Sequence, residues 1–122
     1  MTSQMDMILG GRFRYEYLSG TRLGRPFEGS SVTGFNNVTE EFVLSWVDNF
    51  GTGISQGTGA RAKDDKGLDW TWTVVDPVSM KPMKVRGVQR IQSEDRFTFE
   101  IFSSTSDGGE FKVLELTYTR AG

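Results

Sequence analysis

The chain is 122 residues long, a length that supports one domain around a single core and leaves no room for a second. Charged residues make up 25% of it and nearly cancel to a net charge of -2, so no global field draws in polyanions and nucleic acid is not an expected partner. Cysteine and histidine are both absent, which excludes disulfides, thiolate nucleophiles, zinc held by Cys or His, a Ser-His-Asp triad and histidine-bound haem.

At the start, MTSQMDMILGG places Asp6 where a leader would be basic, and its apolar run extends only from Met7 to Leu9. Neither a signal peptide nor a membrane span is expected, and the cytoplasm is the expected location. Beyond it the apolar residues recur with period two, and the 15 glycines exceed the usual share of about 7%. Strands are predicted over 3–9, 12–18, 26–35, 41–48, 54–61, 68–75, 83–92, 96–103 and 110–120. Turn chemistry separates them at Ser19-Gly20, Asn36-Asn37, Asp64 to Gly67, Asp76-Pro77, Ser93 to Asp95 and Ser106 to Gly109.

Connections this short make sequential strands antiparallel neighbours, since parallel pairing needs a crossover of about a dozen residues or more. No long segment carries an apolar stripe at helical spacing, so no helix is expected to cover one face. The predicted fold is all-β, an antiparallel up-and-down meander of about nine strands forming a closed or nearly closed barrel. Alternation assigns the faces: Phe13, Tyr15 and Tyr17 oppose Arg12, Arg14 and Glu16; Phe42, Leu44, Trp46 and Asp48 share a face; Trp70, Trp72 and Val74 oppose Thr71 and Thr73. Phe97, Phe99 and Ile101 oppose Thr98, Glu100 and Phe102, and Lys112, Leu114, Leu116 and Tyr118 oppose Val113, Glu115, Thr117 and Thr119.

The run TGISQGTG at 52–59 fits the T-G-x-x-x-G-x-G phosphate loop of short-chain dehydrogenases. Such a loop needs an amphipathic helix behind it to receive phosphates, whereas ARAKDDKG leads straight into the β-patterned LDWTWTVV, and the dehydrogenase Tyr-x-x-x-Lys pair is missing. A turn running into a glycine-weakened strand is the expected structure, and no cofactor is expected. Asn37-Val38-Thr39 reads as a turn. Asp64, Asp65 and Asp69 around Gly67 lack the calcium-loop spacing and read as a hairpin tip, and no metal is expected. Arg12, Arg14, Arg22 and Arg25, interrupted by Glu16 and Glu28, read as a solvated rim.

Two constellations carry candidate chemistry. Trp46, Trp70 and Trp72, with Tyr15, Tyr17 and Tyr118, supply large amphipathic side chains that either fill the core or contact an apolar ligand. Asp48, Arg86, Glu100 and Glu115 sit among apolar neighbours where a lone ion is costly to bury. Arg86 is therefore expected inside the barrel, paired with Glu100 or Asp48, and is a candidate ligand contact. The functional version leaves unpaired carboxylates among Asp48, Glu100 and Glu115 for acid/base work.

The segments ILGGRF, RPFEG, TGFNN and SWVDNFGTG, followed by VDPVSMKPMKVRGV, FTFEIF and EFKVLELTYTR, resemble the bacterial family known as domain of unknown function 1579 across nearly the whole chain. The resemblance implies a β-barrel of lipocalin-like, or calycin, architecture and no established activity. Family members carry a longer portion ahead of ILGGRF, so this barrel is expected to lack an N-terminal strand. An unpaired edge invites a second copy, hence an expected homo-oligomer, a dimer. The expected function is binding of a small apolar or amphipathic molecule. The alternatives are an oligomeric interaction protein without ligand and, third, a carboxylate-based hydrolase or isomerase.

Overall fold

The structure, a computed structural model, describes residues 1–75, 78–105 and 107–121. Nine strands follow one another as an antiparallel meander: β1 (Thr2–Ile8), β2 (Phe13–Arg22), β3 (Arg25–Asn36), β4 (Glu41–Asp48), β5 (Ser55–Arg61), β6 (Gly67–Val75), β7 (Pro82–Ser93), β8 (Arg96–Ser104) and β9 (Glu110–Thr119). Each predicted strand is present, in the predicted order. The turn expected at Asp76-Pro77 lies outside the described residues, as does Ser106 of the turn expected at 106–109. Among the described residues no helix is long and apolar enough to cross a membrane. The chain divides into two compact units, Met1–Gly57 and Thr58–Gly122.

In the first unit the antiparallel register aligns three rows across β1 to β4 on one face. Met7, Arg14, Thr33 and Leu44 form one row; Met5, Glu16, Ser31 and Trp46 the next; Ser3, Leu18, Gly29 and Asp48 the third. Glu16, Leu18, Ser31, Thr33 and Leu44 are buried, so this is the inward face. That reverses the expectation for β2: the row of Phe13, Tyr15 and Tyr17 faces the other way and Arg14 and Glu16 face in. The tyrosines tolerate the more exposed side because their hydroxyls find partners there, Tyr15 with Ser30 and Tyr17 donating to Glu28. Phe27 stacks on Trp46 with ring centroids 6.4 Å apart and meets Phe50 edge-on at 5.4 Å, which anchors the unit's apolar end.

The Asn36 turn explains the Asn37-Val38-Thr39 motif. The Asn36 side-chain oxygen accepts from the Val38 and Thr39 amides while Glu40, at φ 59°, donates back to the Asn36 carbonyl. This is an asparagine-nucleated hairpin.

In the second unit the Trp70, Trp72, Val74 face is the buried one, as expected. Trp70 is the most enclosed large side chain, at 1% exposure, stacked 6.2 Å from Trp72 and donating its indole N–H to Gln89 at 3.1 Å. Trp72 in turn contacts Phe99, and Phe97 stacks on Tyr118 at 4.4 Å. The strand that opens the unit carries Gly59 under the Trp70 indole, where a Cβ would come within 2.7 Å of the ring. TGISQGTG is therefore a loop entering β5, and no helix follows it. The aspartates of the next turn are used in the turn itself: Asp64 accepts from the Lys66 amide, Asp65 adopts φ 62° and pairs with Arg61, and Asp69 pairs with Arg90.

One expectation for β9 is corrected. A bulge shifts the β8–β9 register between Ile101, opposite Leu114, and Phe102, opposite Lys112. The extra residue turns Lys112 away from the Leu114, Leu116, Tyr118 row and onto the face of Glu100 and Glu115.

Candidate functional site

Glu100 and Glu115 lie directly opposite each other in the β8–β9 ladder, a placement in which like charges repel. Lys112, brought over by the bulge, bridges both at 2.6 and 3.1 Å. Its ammonium pKa is raised above the ordinary value by hydrogen bonding first to Glu100 and then to Glu115. A raised lysine pKa stabilises the fold below the unfolded-state value, and that contribution is lost only as pH rises through the folded-state pKa. The bridge is therefore intact at neutral pH. Lys112→Met is expected to lower stability at low salt by restoring the Glu100–Glu115 repulsion. The deficit should shrink at about 1 M salt, where the screening length falls to about 3 Å. Urea melts at the two ionic strengths measure this; a salt-independent deficit would assign the loss to packing.

Arg86 is paired, but with Glu110 instead of Glu100 or Asp48, and it is half-exposed instead of interior. Two parallel hydrogen bonds of 3.1 and 3.0 Å join its Nε and Nη2 to the carboxylate, and the guanidinium lies 4.6 Å over the Phe102 ring. Glu110 is held below the ordinary carboxylate range by Arg86, so this contribution is present above the ordinary glutamate pKa and is lost as pH falls through the lowered one. The reason for the misplacement is parity: Arg86 alternates with Gly87, and Gly87 occupies the buried face opposite Trp70. Arg86, Glu100 and Glu115 thus belong to a paired charge layer, exposed at Arg86 and Glu115 and half-buried at Glu100, on the opposite side of the sheet from Trp70 and Trp72.

Asp48 is also committed. Its Oδ2 accepts the Trp46 indole N–H at 2.8 Å and its Oδ1 caps the turn by accepting from the Phe50 amide at 2.9 Å. The predicted constellations do not assemble into one site within either unit. Trp46 and Asp48 belong to the first unit with Tyr15 and Tyr17, the tyrosines on the far face; Trp70, Trp72 and Tyr118 belong to the second.

A different group comes together, on the inward face of the first unit. Arg14 on β2 faces Thr33 on β3 across the ladder, with Met7 and Leu44 completing the row. The Arg14 Nε and the Thr33 hydroxyl are both buried and neither has a hydrogen-bond partner among the described residues. Thr33 is 8% exposed. One pleat along, Glu16 is buried at 6% and accepts from the Ser3 hydroxyl at 2.6 Å, with Ser31 opposite it at 3%. A buried polar group normally has a partner, and leaving one unmade costs about 1–3 kcal/mol. The Arg14 Nε and the Thr33 hydroxyl therefore hold unspent donor capacity on a partly apolar face.

The sequence reading missed this group because alternation with the tyrosines sent Arg14 outward. A signal was present in β3, where Ser31 and Thr33 follow Phe27 and Gly29 at period two, so that the inward row of β3 turns polar midway.

A family model described as "Protein of unknown function (DUF1579)" matches residues 1–120. The chain belongs to this family. Comparison with curated proteins and with solved structures gave no significant match. Membership in DUF1579 assigns no reaction or ligand, so what this DUF1579 chain does must be argued from its own side chains, and Arg14 with Thr33 is where they have chemistry to spare.

Proposed function

We propose that this DUF1579 protein binds a small amphipathic molecule, on a lipocalin-like barrel of the kind expected from the sequence. The observation that carries the reading is the pair of buried, unpartnered polar atoms, Arg14 Nε and Thr33 Oγ1, set in a row with Met7 and Leu44. Leu18 and Phe27 on the same face add buried apolar surface. Polar groups placed sparsely on an apolar surface orient a ligand, and the apolar part supplies most of the affinity. Catalysis has less support, because the candidate carboxylates Asp48, Glu100 and Glu115 each hold a structural partner.

Native mass spectrometry of the purified protein, mixed with a panel of ten-carbon amphiphiles of differing head group, tests the reading. A one-to-one adduct with at least one member is expected. Failure of every member to bind would remove it.

A further inference from the structure

We infer that the molecule carries a single carboxylate, held by the Nε edge of Arg14 together with the Thr33 hydroxyl. The inference rests on the binding reading and names its ligand class.

The free groups are of one kind. Arg14 Nε can only donate, and the Thr33 hydroxyl, also without a partner, has a proton to donate. Both stand in the same cross-strand row, on neighbouring strands and on one face of the sheet. The Nε–H and the adjacent Nη–H of a guanidinium form a planar two-pronged edge that matches the two oxygens of a carboxylate, and such charge-assisted pairs are about twice as strong as neutral ones.

The Nε of this half-buried guanidinium also has no partner among the described residues. Glu16, two residues along and on the same face, lies beyond ion-pair distance of Arg14 and takes the Ser3 hydroxyl instead. A buried donor without a partner is costly, and a ligand anion supplies the missing acceptor. Glu16 also sets the charge of that anion. A phosphate dianion would bring a second negative charge into a face that already carries this carboxylate. A monoanion balances Arg14 and stops there. The neighbours Met7 and Leu44, and Leu18 beyond Glu16, accept an apolar body attached to the head.

The test measures affinity of the full chain for decanoate, decanol and decyl phosphate, each below its micelle concentration, by tryptophan fluorescence and by the Arg14 Nε–H resonance in a proton–nitrogen correlation spectrum. Decanoate is expected to bind at least about tenfold tighter than decanol, the order expected of a buried charge-assisted pair, and to shift the Arg14 Nε–H signal. In Arg14→Met and in Thr33→Val the advantage of decanoate should fall while decanol binding persists. Equal binding of decanoate and decanol would overturn the carboxylate inference and leave the binding reading standing. Tighter binding of decyl phosphate would overturn it as well, by refuting the monoanion argument. Binding of none of the three would remove both. The wild-type comparison decides the matter even if a variant fails to fold.

Thr33→Val supplies an independent readout. Because its hydroxyl has no partner, its removal should leave the melting temperature of the unliganded protein unchanged or raised. A marked loss of stability would show that the hydroxyl serves the fold and would overturn its role in binding.

Discussion

Replacing Trp70 with alanine should destabilise the protein by about 3–5 kcal/mol, the range for truncating a fully buried large aromatic. Three separate contacts are lost together. The indole is the most enclosed large side chain, it stacks on Trp72, and it covers Gly59, so its removal opens a void over Gly59 and beside Trp72. It also leaves the Gln89 side-chain oxygen, itself on a residue only 9% exposed, without its donor. Trp70→Phe separates these terms, since it keeps part of the ring and forfeits the hydrogen bond, and it should cost less than half as much. Chemical denaturation with linear extrapolation measures both. A loss for Trp70→Ala below about 1 kcal/mol would mean that the site collapses on deletion, contrary to the close packing seen around it.

Trp70 is also the clearest case of structure legible in sequence. In WTWTV the large apolar residues fall on one parity and the threonines on the other, so a strand half-buried on its Trp face is the only pattern that fits, and β6 follows it. The same reasoning failed at β2, where FRYEY alternates tyrosine with charge. A tyrosine is amphipathic and sits well on either side of a sheet if its hydroxyl finds a partner, which Ser30 and Glu28 provide. Nothing in five residues reveals that the partners exist, because they come from β3. The bulge in β9 was hidden for a related reason: a shift of one residue reverses every face beyond it, and the bulge leaves no glycine to mark it. Both errors bore on function. The first sent Arg14 outward and concealed the candidate site; the second kept Lys112 off the face of Glu100 and Glu115, so that Arg86 stood as the expected partner in its place.

The glycines allow a sharper test of what the sequence was saying, because alanine should act very differently at three of them. At Gly67 a Cβ would lie 1.9 Å from the Gln89 carbonyl oxygen, a backbone atom of the strand paired with β6. Relief requires β6 and β7 to separate at a point where the Ala62 amide donates to the Gly67 carbonyl at 3.0 Å and the Ile91 amide to Lys66 at 2.8 Å. Gly67→Ala should therefore cost about 3 kcal/mol, the upper end of overpacking losses. At Gly59 the obstacle is the Trp70 ring at 2.7 Å, a side chain and a longer approach than the 1.9 Å to backbone at Gly67, so the cost should be smaller. At Gly53 nothing lies within 4 Å and the backbone is of an ordinary kind, so alanine should change stability by no more than about 0.5 kcal/mol. The rank order Gly53, Gly59, Gly67 discriminates between two meanings of a glycine-rich sequence. If these glycines served chain flexibility alone, alanine at each would restrict the unfolded state and stabilise the protein by about 0.4–1 kcal/mol. A graded loss, read from denaturation midpoints of the three variants, instead marks the places where another strand or ring occupies the volume a side chain would need.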